Sequence, residues 1–412
     1  MDTGQDPAKE ATYRPGNDKP AGTAAASFSG QRLVTTAIIL WALPMLVISI
    51  MVFLRPLNRT VTPLYHEATA HWWTAESLYQ GPSGMNYLPQ FPILFTPFHA
   101  IPSPWGDIVW RLFEVSLIVT GLWRVLRMSF GPDWEKWFLW ATILTLPLSL
   151  GALRNGQANA LLGGLILHAA ACLAAKQWNR AAALIVLTLA VKPLGAVLVL
   201  LAPVAYVPLR WRVPVGLAAL VALPFLCAPT PYAVSQYRAL ASNLKDCSAV
   251  QEHRFADLNG ILRTFGTELP PKASTAVRAM AGLAAAALWW FGSRRLKEPL
   301  QAMWLLALTS GYLMLFNPMN EANSYVILAP ALGLWAVHWL SEPATATRGW
   351  VLVAMTLSMS LLPNLVRPLL GNHFALIWHP MMTLCFGLML MLFVWRRNNG
   401  KANAPQAELS PT

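Results

Sequence analysis

Residues 33–54, LVTTAIILWALPMLVISIMVFL, run without a single charged side chain. At ~1.5 Å per helical residue such a run spans the ~30 Å hydrocarbon core of a bilayer. Only two surroundings accept so long an apolar helix, a very large protein core or lipid, and the rest of the chain decides between them. Hydrophobic residues make up 56% of the sequence, charged residues only 12%, and the mean hydropathy is +0.45. Soluble domains carry roughly a quarter charged residues. Further apolar runs lie near 105–126, 136–152, 158–175, 180–191, 194–209, 213–228, 276–292, 299–316, 323–340, 349–366 and 375–395. The expected fold class is therefore all-α, a polytopic integral membrane protein of about twelve spans with both ends on one side. The segment 180–209 is short for two full spans. Pro193 in KPLG, with no N–H to continue a helix, breaks it into two abbreviated ones.

The polar stretch 1–31 reads as a disordered cytoplasmic tail rather than a cleavable leader, followed by a polytopic unit over 32–397 and a short tail over 398–412. The net charge of +12 comes from basic residues scattered between apolar runs, the pattern of helix-end anchors, and not from a patch suited to nucleic acid. They accumulate on one side: Lys9, Arg14, Lys19 and Arg32, then Arg124, Arg127 and Lys136, then Lys176, Arg180, Arg210 and Arg212, then Arg294, Arg295, Lys297, Arg348, Arg396, Arg397 and Lys401. The positive-inside rule makes that side cytoplasmic, in a cell inner (plasma) membrane. The outer side then receives the loop 55–104, the turn RNGQAN (154–159), the dipeptide KP (192–193), the loop 229–275 and NPMNEANS (317–324). The four cysteines have no C-x-x-C spacing and form no metal site.

Polar side chains with chemical potential gather on that outer side. The first loop holds PLYHEATAHWW and MNYLPQFPILFTPFHAIP, which read as segments lying in the interface, where Trp and Tyr are favoured. Glu67 on the first segment is a candidate general base if burial raises its affinity for a proton. A solvated glutamate near a helix start is the plain alternative, and Glu76 fits that description better. His66 and His71 are candidates to hydrogen-bond a phosphate or hydroxyl. Arg111 and Glu114 are three apart, share a helix face, and are expected to pair. Arg154, Asn155, Gln157 and Asn159 stand before an apolar helix, where a cation, amides and a helix N-terminus favour an anion; capping of two helix ends would use the same residues. Lys192 sits at a helix break, placed to hold a phosphate as a point charge or to reach for lipid headgroups. Asn317, Asn320, Glu321 and Asn323, with Tyr325 just inside, repeat the pattern.

Three patches carry a family resemblance: YHEATAHWWTAESLYQGPSGMNYLPQFPILFTPF, RNGQANALLGGLILHAAACLAAKQWNRAAALIVLTLAVKP and NPMNEANSYVILAPAL. Together they make the chain similar to glycosyltransferase family 87, membrane enzymes of the GT-C superfamily. The resemblance implies a mannosyltransferase-like enzyme that moves a hexose from a polyprenyl-phosphate sugar to a lipid or glycan acceptor, on the extracytoplasmic face and with inversion. It implies a carboxylate base in the first outer loop, which maps onto Glu67. Family members usually carry aspartate somewhat earlier, where this chain has Thr60–Pro63, and often a histidine where it has Glu321 and Asn323. The implied substrate-binding set is His66, Tyr87, Arg154, Gln157, Asn159, Lys192, Glu321 and Asn323. No metal or cofactor enters this scheme, because cationic side chains take the leaving phosphate. The competing readings are a secondary transporter or lipid flippase, whose broken helices and buried charges look alike, and a non-catalytic binder of lipid-linked sugar.

Overall fold

The structure, a computed structural model, describes residues 21–79, 85–248, 255–317, 320–371 and 373–402. Among the described residues every regular element is helical. The first is α1 (Ala21–Leu54). Two short helices, α2 (Thr62–Trp73) and α3 (Gln90–His99), form in the first long loop. The chain continues through α4 (Trp105–Ser129), α5 (Trp134–Asn155), α6 (Asn159–Ala174), α7 (Trp178–Val191), α8 (Ala196–Ala205) and α9 (Leu209–Cys227). A second long loop holds α10 (Thr230–Ser248) and α11 (Leu258–Thr264). The last helices are α12 (Pro271–Ser293), α13 (Leu300–Phe316), α14 (Ala329–Ser341), α15 (Ala346–Leu370) and α16 (His373–Ala402).

Every apolar run read from the sequence falls on a helix. Among the described residues five helices, over 30–54, 131–155, 209–227, 343–370 and 373–397, are long and apolar enough to cross a membrane. The chain is an all-helical membrane protein. Helix α1 begins at Ala21, inside the stretch expected as a tail, and α16 runs on to Ala402. Residues 1–20 and 403–412, the remainder of both expected tails, lie outside the described residues.

The core explains why these helices pack as they do. From Ala329 to Trp339 every side chain of α14 is buried, as is α6 from Asn159 to Leu167. A helix apolar on all sides belongs in the middle of a bundle. Helix α6 packs on α4 and α7, and α14 on α5 and α15. Small residues on α6 permit close approach, as in membrane helix pairs generally: a Cβ on Gly164 would strike the Leu117 side chain of α4. The break at KPLG is present as expected. Helix α7 stops at Val191, Lys192 is extended (φ −149°, ψ 147°), and a short 3-10 turn over 193–195 leads into α8.

The bundle has two chemically distinct ends. At one, hydrogen bonds tie together the first loop, the turn after α5, the break after α7 and the segment after Asn320. The second long loop closes over the first: Leu78 N–H donates to Gln236 Oε1 (3.0 Å), Gln90 Nε2 to Tyr237 Oη (2.6 Å) and Asn243 Nδ2 to the Met85 carbonyl (3.2 Å). At the other end sit Lys176, Arg180, Arg212 and Glu298.

Candidate anion site at the loop-bearing end

The site is built on the turn joining α5 to α6. Helix α5 ends on Gly156 in the left-handed region (φ 65°). The N–H groups of Gly156 and Gln157 reach back to the carbonyls of Leu153 (3.2 Å) and Ala152 (3.1 Å), which closes the helix end. A side chain at 156 would be strained by that φ and would also strike the Arg111 guanidinium and Thr62. The first loop and α4 grip the turn from outside. Val61 N–H donates to the Asn155 carbonyl (3.0 Å), Trp110 Nε1 to the Gly156 carbonyl (3.0 Å), and Ala158 N–H to the Tyr65 hydroxyl (3.1 Å).

Arg111 completes this grip; among the described residues it forms no hydrogen bond or close ion pair with Glu114, its expected partner, and the two charges attract one another only at longer range. Its Nη1 donates to the Asp107 carbonyl (2.8 Å), and its Nη2 to Thr60 Oγ1 (2.8 Å) and the Arg154 carbonyl (3.1 Å). The spacing does put both residues on one face of α4. The longer side chain, however, reaches the carbonyl end of α5, where a cation is favoured. Both carboxylate oxygens of Glu114 are buried without a hydrogen-bond partner.

So held, the turn presents Gln157 and Asn159 to the break after α7. Lys192 Nζ donates to Asn159 Oδ1 (2.7 Å) and lies over the Tyr87 ring, 5.0 Å from its centre. Asn159 is buried and donates to Gln157 Oε1 (3.1 Å) and Ser324 Oγ (3.2 Å). Gln157 Nε2 in turn donates to Glu321 Oε2 (3.2 Å). The Tyr87 and Tyr65 hydroxyls are 2.7 Å apart, and Tyr65 is wedged among Phe91, Phe95 and Trp110. Five residues singled out in the sequence, Tyr87, Gln157, Asn159, Lys192 and Glu321, thus share one network. Among the described residues Lys192 forms no ion pair; its direct partners are an amide oxygen and an aromatic face. A lysine with neutral partners, at a half-buried edge lined by amides, can accept an anionic oxygen without first breaking a salt bridge.

The other four candidates lie elsewhere or at the margin. Glu67 is on the exposed face of α2, opposite the buried face of Tyr65, Ala68, Thr69 and Trp72, and makes no hydrogen bond or ion pair among the described residues. His66 faces Asp107 Oδ1 through Nε2 (3.3 Å) and His99 through Nδ1 (3.1 Å), while Ser103 Oγ donates to the second Asp107 oxygen (2.7 Å). Burial and the neighbouring His66 lower the proton affinity of His99. The Arg154 side chain lines a separate hollow of about 280 Å³ with Met51, Leu54, Arg55 and Asn58. Asn323 lies against α5, where a Cβ on Gly151 would collide with its Oδ1.

The segment 320–324 is fixed from behind by the second long loop. Ala256 N–H donates to the Asn320 carbonyl (2.6 Å), Asn320 Nδ2 to the Ala256 carbonyl (3.1 Å), and the Tyr325 hydroxyl to that same carbonyl (3.0 Å). Next to it, burial pushes the Asp257 carboxyl up to about 6, against the pull of the Gly260 N–H and Arg263. Tyr65, Trp110 and Ser324 are positioning residues that the sequence reading passed over, whereas Asn320, singled out there for its polarity, holds this segment in place. Tyr65 sits beside His66 in a quoted motif, but nothing in its spacing shows which face of α2 is buried.

An all-helical membrane protein thus gathers a lysine, two amides and a carboxylate into one hydrogen-bonded network at one end of its bundle. The model of glycosyltransferase family 87 matches residues 86–318, more than half of the chain, so the chain belongs to that family and is a membrane glycosyltransferase. No curated protein matches it. The matched stretch contains Tyr87, Arg154, Gln157, Asn159 and Lys192, whereas His66, Glu67, Glu321 and Asn323 fall outside it.

Proposed function

We propose that the protein transfers a hexose, mannose first among the candidates, from a polyprenyl-phosphate sugar to a lipid or glycan acceptor on the extracytoplasmic face. In this reading the chain crosses the plasma membrane about twelve times with both termini cytoplasmic, and the loop 55–104 carries part of the active site. The observation that supports it most is the Lys192 ammonium, bonded to Asn159 Oδ1 at 2.7 Å and without a carboxylate salt bridge among the described residues. The acceptor hydroxyl oxygen attacks the sugar C1 from the face opposite the phosphate. Its proton passes to a carboxylate as the new C–O bond forms. The C1–O bond to phosphate breaks, and the polyprenyl phosphate departs with the electron pair. Lys192, with the Gln157 and Asn159 amides, stabilises the charge that develops on that phosphate. One displacement inverts the anomeric centre.

Two carboxylates compete for the role of base. The family resemblance favours Glu67. The hydrogen bond from Gln157 to Glu321 favours Glu321, because that carboxylate shares a network with Lys192. Membrane vesicles holding the protein, given radiolabelled polyprenyl-phosphate mannose and other polyprenyl-phosphate hexoses in parallel, test the whole reading. Label entering an acceptor is the expected result. Movement of the intact donor across the membrane without transfer would replace the enzyme reading with a transporter, and saturable binding alone would replace it with a non-catalytic binder.

A further inference from the structure

The opposite end of the bundle carries a second polar concavity that the transfer reaction does not use. It measures about 490 Å³ and is lined by Lys176, Gln177, Trp178, Asn179, Arg180 and Arg212. Three of its six lining residues are cations and none is a carboxylate. None of the three cations forms an ion pair among the described residues. Arg212 is oriented by neutral partners, donating from Nε to Asn179 Oδ1 (2.7 Å) and from Nη1 to the Pro208 carbonyl (2.7 Å). Arg180 reaches Gln177 Oε1 only at 3.5 Å. The carboxylate whose field Lys176 meets is Glu298, and it is already engaged by the Tyr206 hydroxyl (2.6 Å) and the Ala302 N–H (3.2 Å).

Backbone geometry points the same way. Lys176 occupies the left-handed region (φ 55°) just past the end of α6, where glycine is the usual residue. Helix α7 then opens on Trp178 with no side-chain cap from Gln177. Three cations without an ion pair among the described residues, two amides and a tryptophan line one hollow, and basic hollows between helix ends are suited to anionic headgroups. A general fringe of anchoring charges would need no shared cavity.

We propose that this hollow binds a phosphate-bearing anion, supplied by the headgroup of an anionic phospholipid in the leaflet at the basic end of the bundle. The proposal is independent of the transfer reaction, since its readout is binding. Full-length protein is placed in nanodiscs of phosphatidylcholine alone, or of phosphatidylcholine mixed with phosphatidylglycerol, and its Tm is followed. A parallel arm adds inorganic phosphate to protein in neutral detergent. The anionic lipid is expected to raise Tm by about 2–4 °C, and K176Q/R180Q to abolish that rise. A control, R127Q/R294Q, removes two charges that stack on Trp123 and Trp290 and do not line the hollow; it should keep the rise. If inorganic phosphate reproduces a shift that K176Q/R180Q removes, the hollow recognises the phosphate group itself, whichever molecule carries it. Absence of any shift in both arms, or an equal loss in the two double variants, would overturn the proposal.

Discussion

Helix α6 is bounded by two turns of the same backbone design with opposite side-chain chemistry. At its start, Gly156 and Gln157 donate to the carbonyls of Leu153 and Ala152; at its end, Lys176 and Gln177 donate to those of Leu173 and Cys172. Both turns pass through the left-handed region, with φ of 65° at Gly156 and 55° at Lys176. Both place a glutamine next, ahead of a helix with no side-chain cap. The first turn is enclosed by Trp110, Arg111 and Tyr65 and hands its amides to one lysine 33 residues further along, Lys192. The second is exposed and surrounded by cations. Backbone design therefore does not distinguish the two turns. What separates them is enclosure, which fixes a few donors in place, against exposure, which leaves charge at the surface.

The strongest way to sharpen this contrast is to remove the base. If the enclosed network is the catalytic centre, Glu321→Gln lowers turnover by roughly 10²–10⁴-fold while Glu67→Gln costs little. The reverse ranking would return the role to the exposed face of α2. Single-turnover transfer from a radiolabelled donor, with expression and Tm as folding controls, reads the difference. Next in size is Lys192→Met, which leaves the hydrocarbon stem and deletes the charge. Loss of its contribution to the leaving phosphate is expected to lower turnover by roughly 10²–10³-fold. The anionic-lipid Tm shift at the far turn should be unchanged, so a variant that lost both would show that the two ends act as one.

Much of this architecture was legible in the sequence because its causes are local. Apolar runs fix the helices, Pro193 fixes the break after α7, and Gly156 is the residue of RNGQAN best suited to a left-handed turn. The meeting of Gln157, Asn159, Lys192 and Glu321 was legible only as shared sidedness; their hydrogen bonds span up to 164 residues of chain. Arg111 shows where spacing fails. Its distance from Glu114 along α4 is right for a pair, yet a guanidinium on a long stem reached the carbonyl end of a neighbouring helix. Arg154 fails likewise: its carbonyl belongs to the enclosed turn while its side chain turns away to line the hollow beside α1. Position along a helix sets where a side chain starts, and rotamers set where it ends.

The smallest expected effects test the two turns directly, and their signs should differ. Gly156→Ala forces a side chain into the left-handed region against Arg111 and Thr62, and should cost about 1–3 kcal/mol of stability. It should also lower activity by shifting Gln157. Lys176→Gly relieves the same backbone strain where nothing encloses it. The relief of roughly 1–2 kcal/mol is partly offset by the greater freedom of glycine in the unfolded chain, about 0.5–1 kcal/mol, so a gain of no more than about 1.5 kcal/mol is expected. Thermal unfolding in neutral detergent, where no anionic headgroup contributes, isolates these backbone terms. In phosphatidylglycerol nanodiscs the Lys176→Gly gain should shrink or change sign, because one of the three cations around the hollow is gone. A gain that is the same in both media would leave the lysine with no headgroup role.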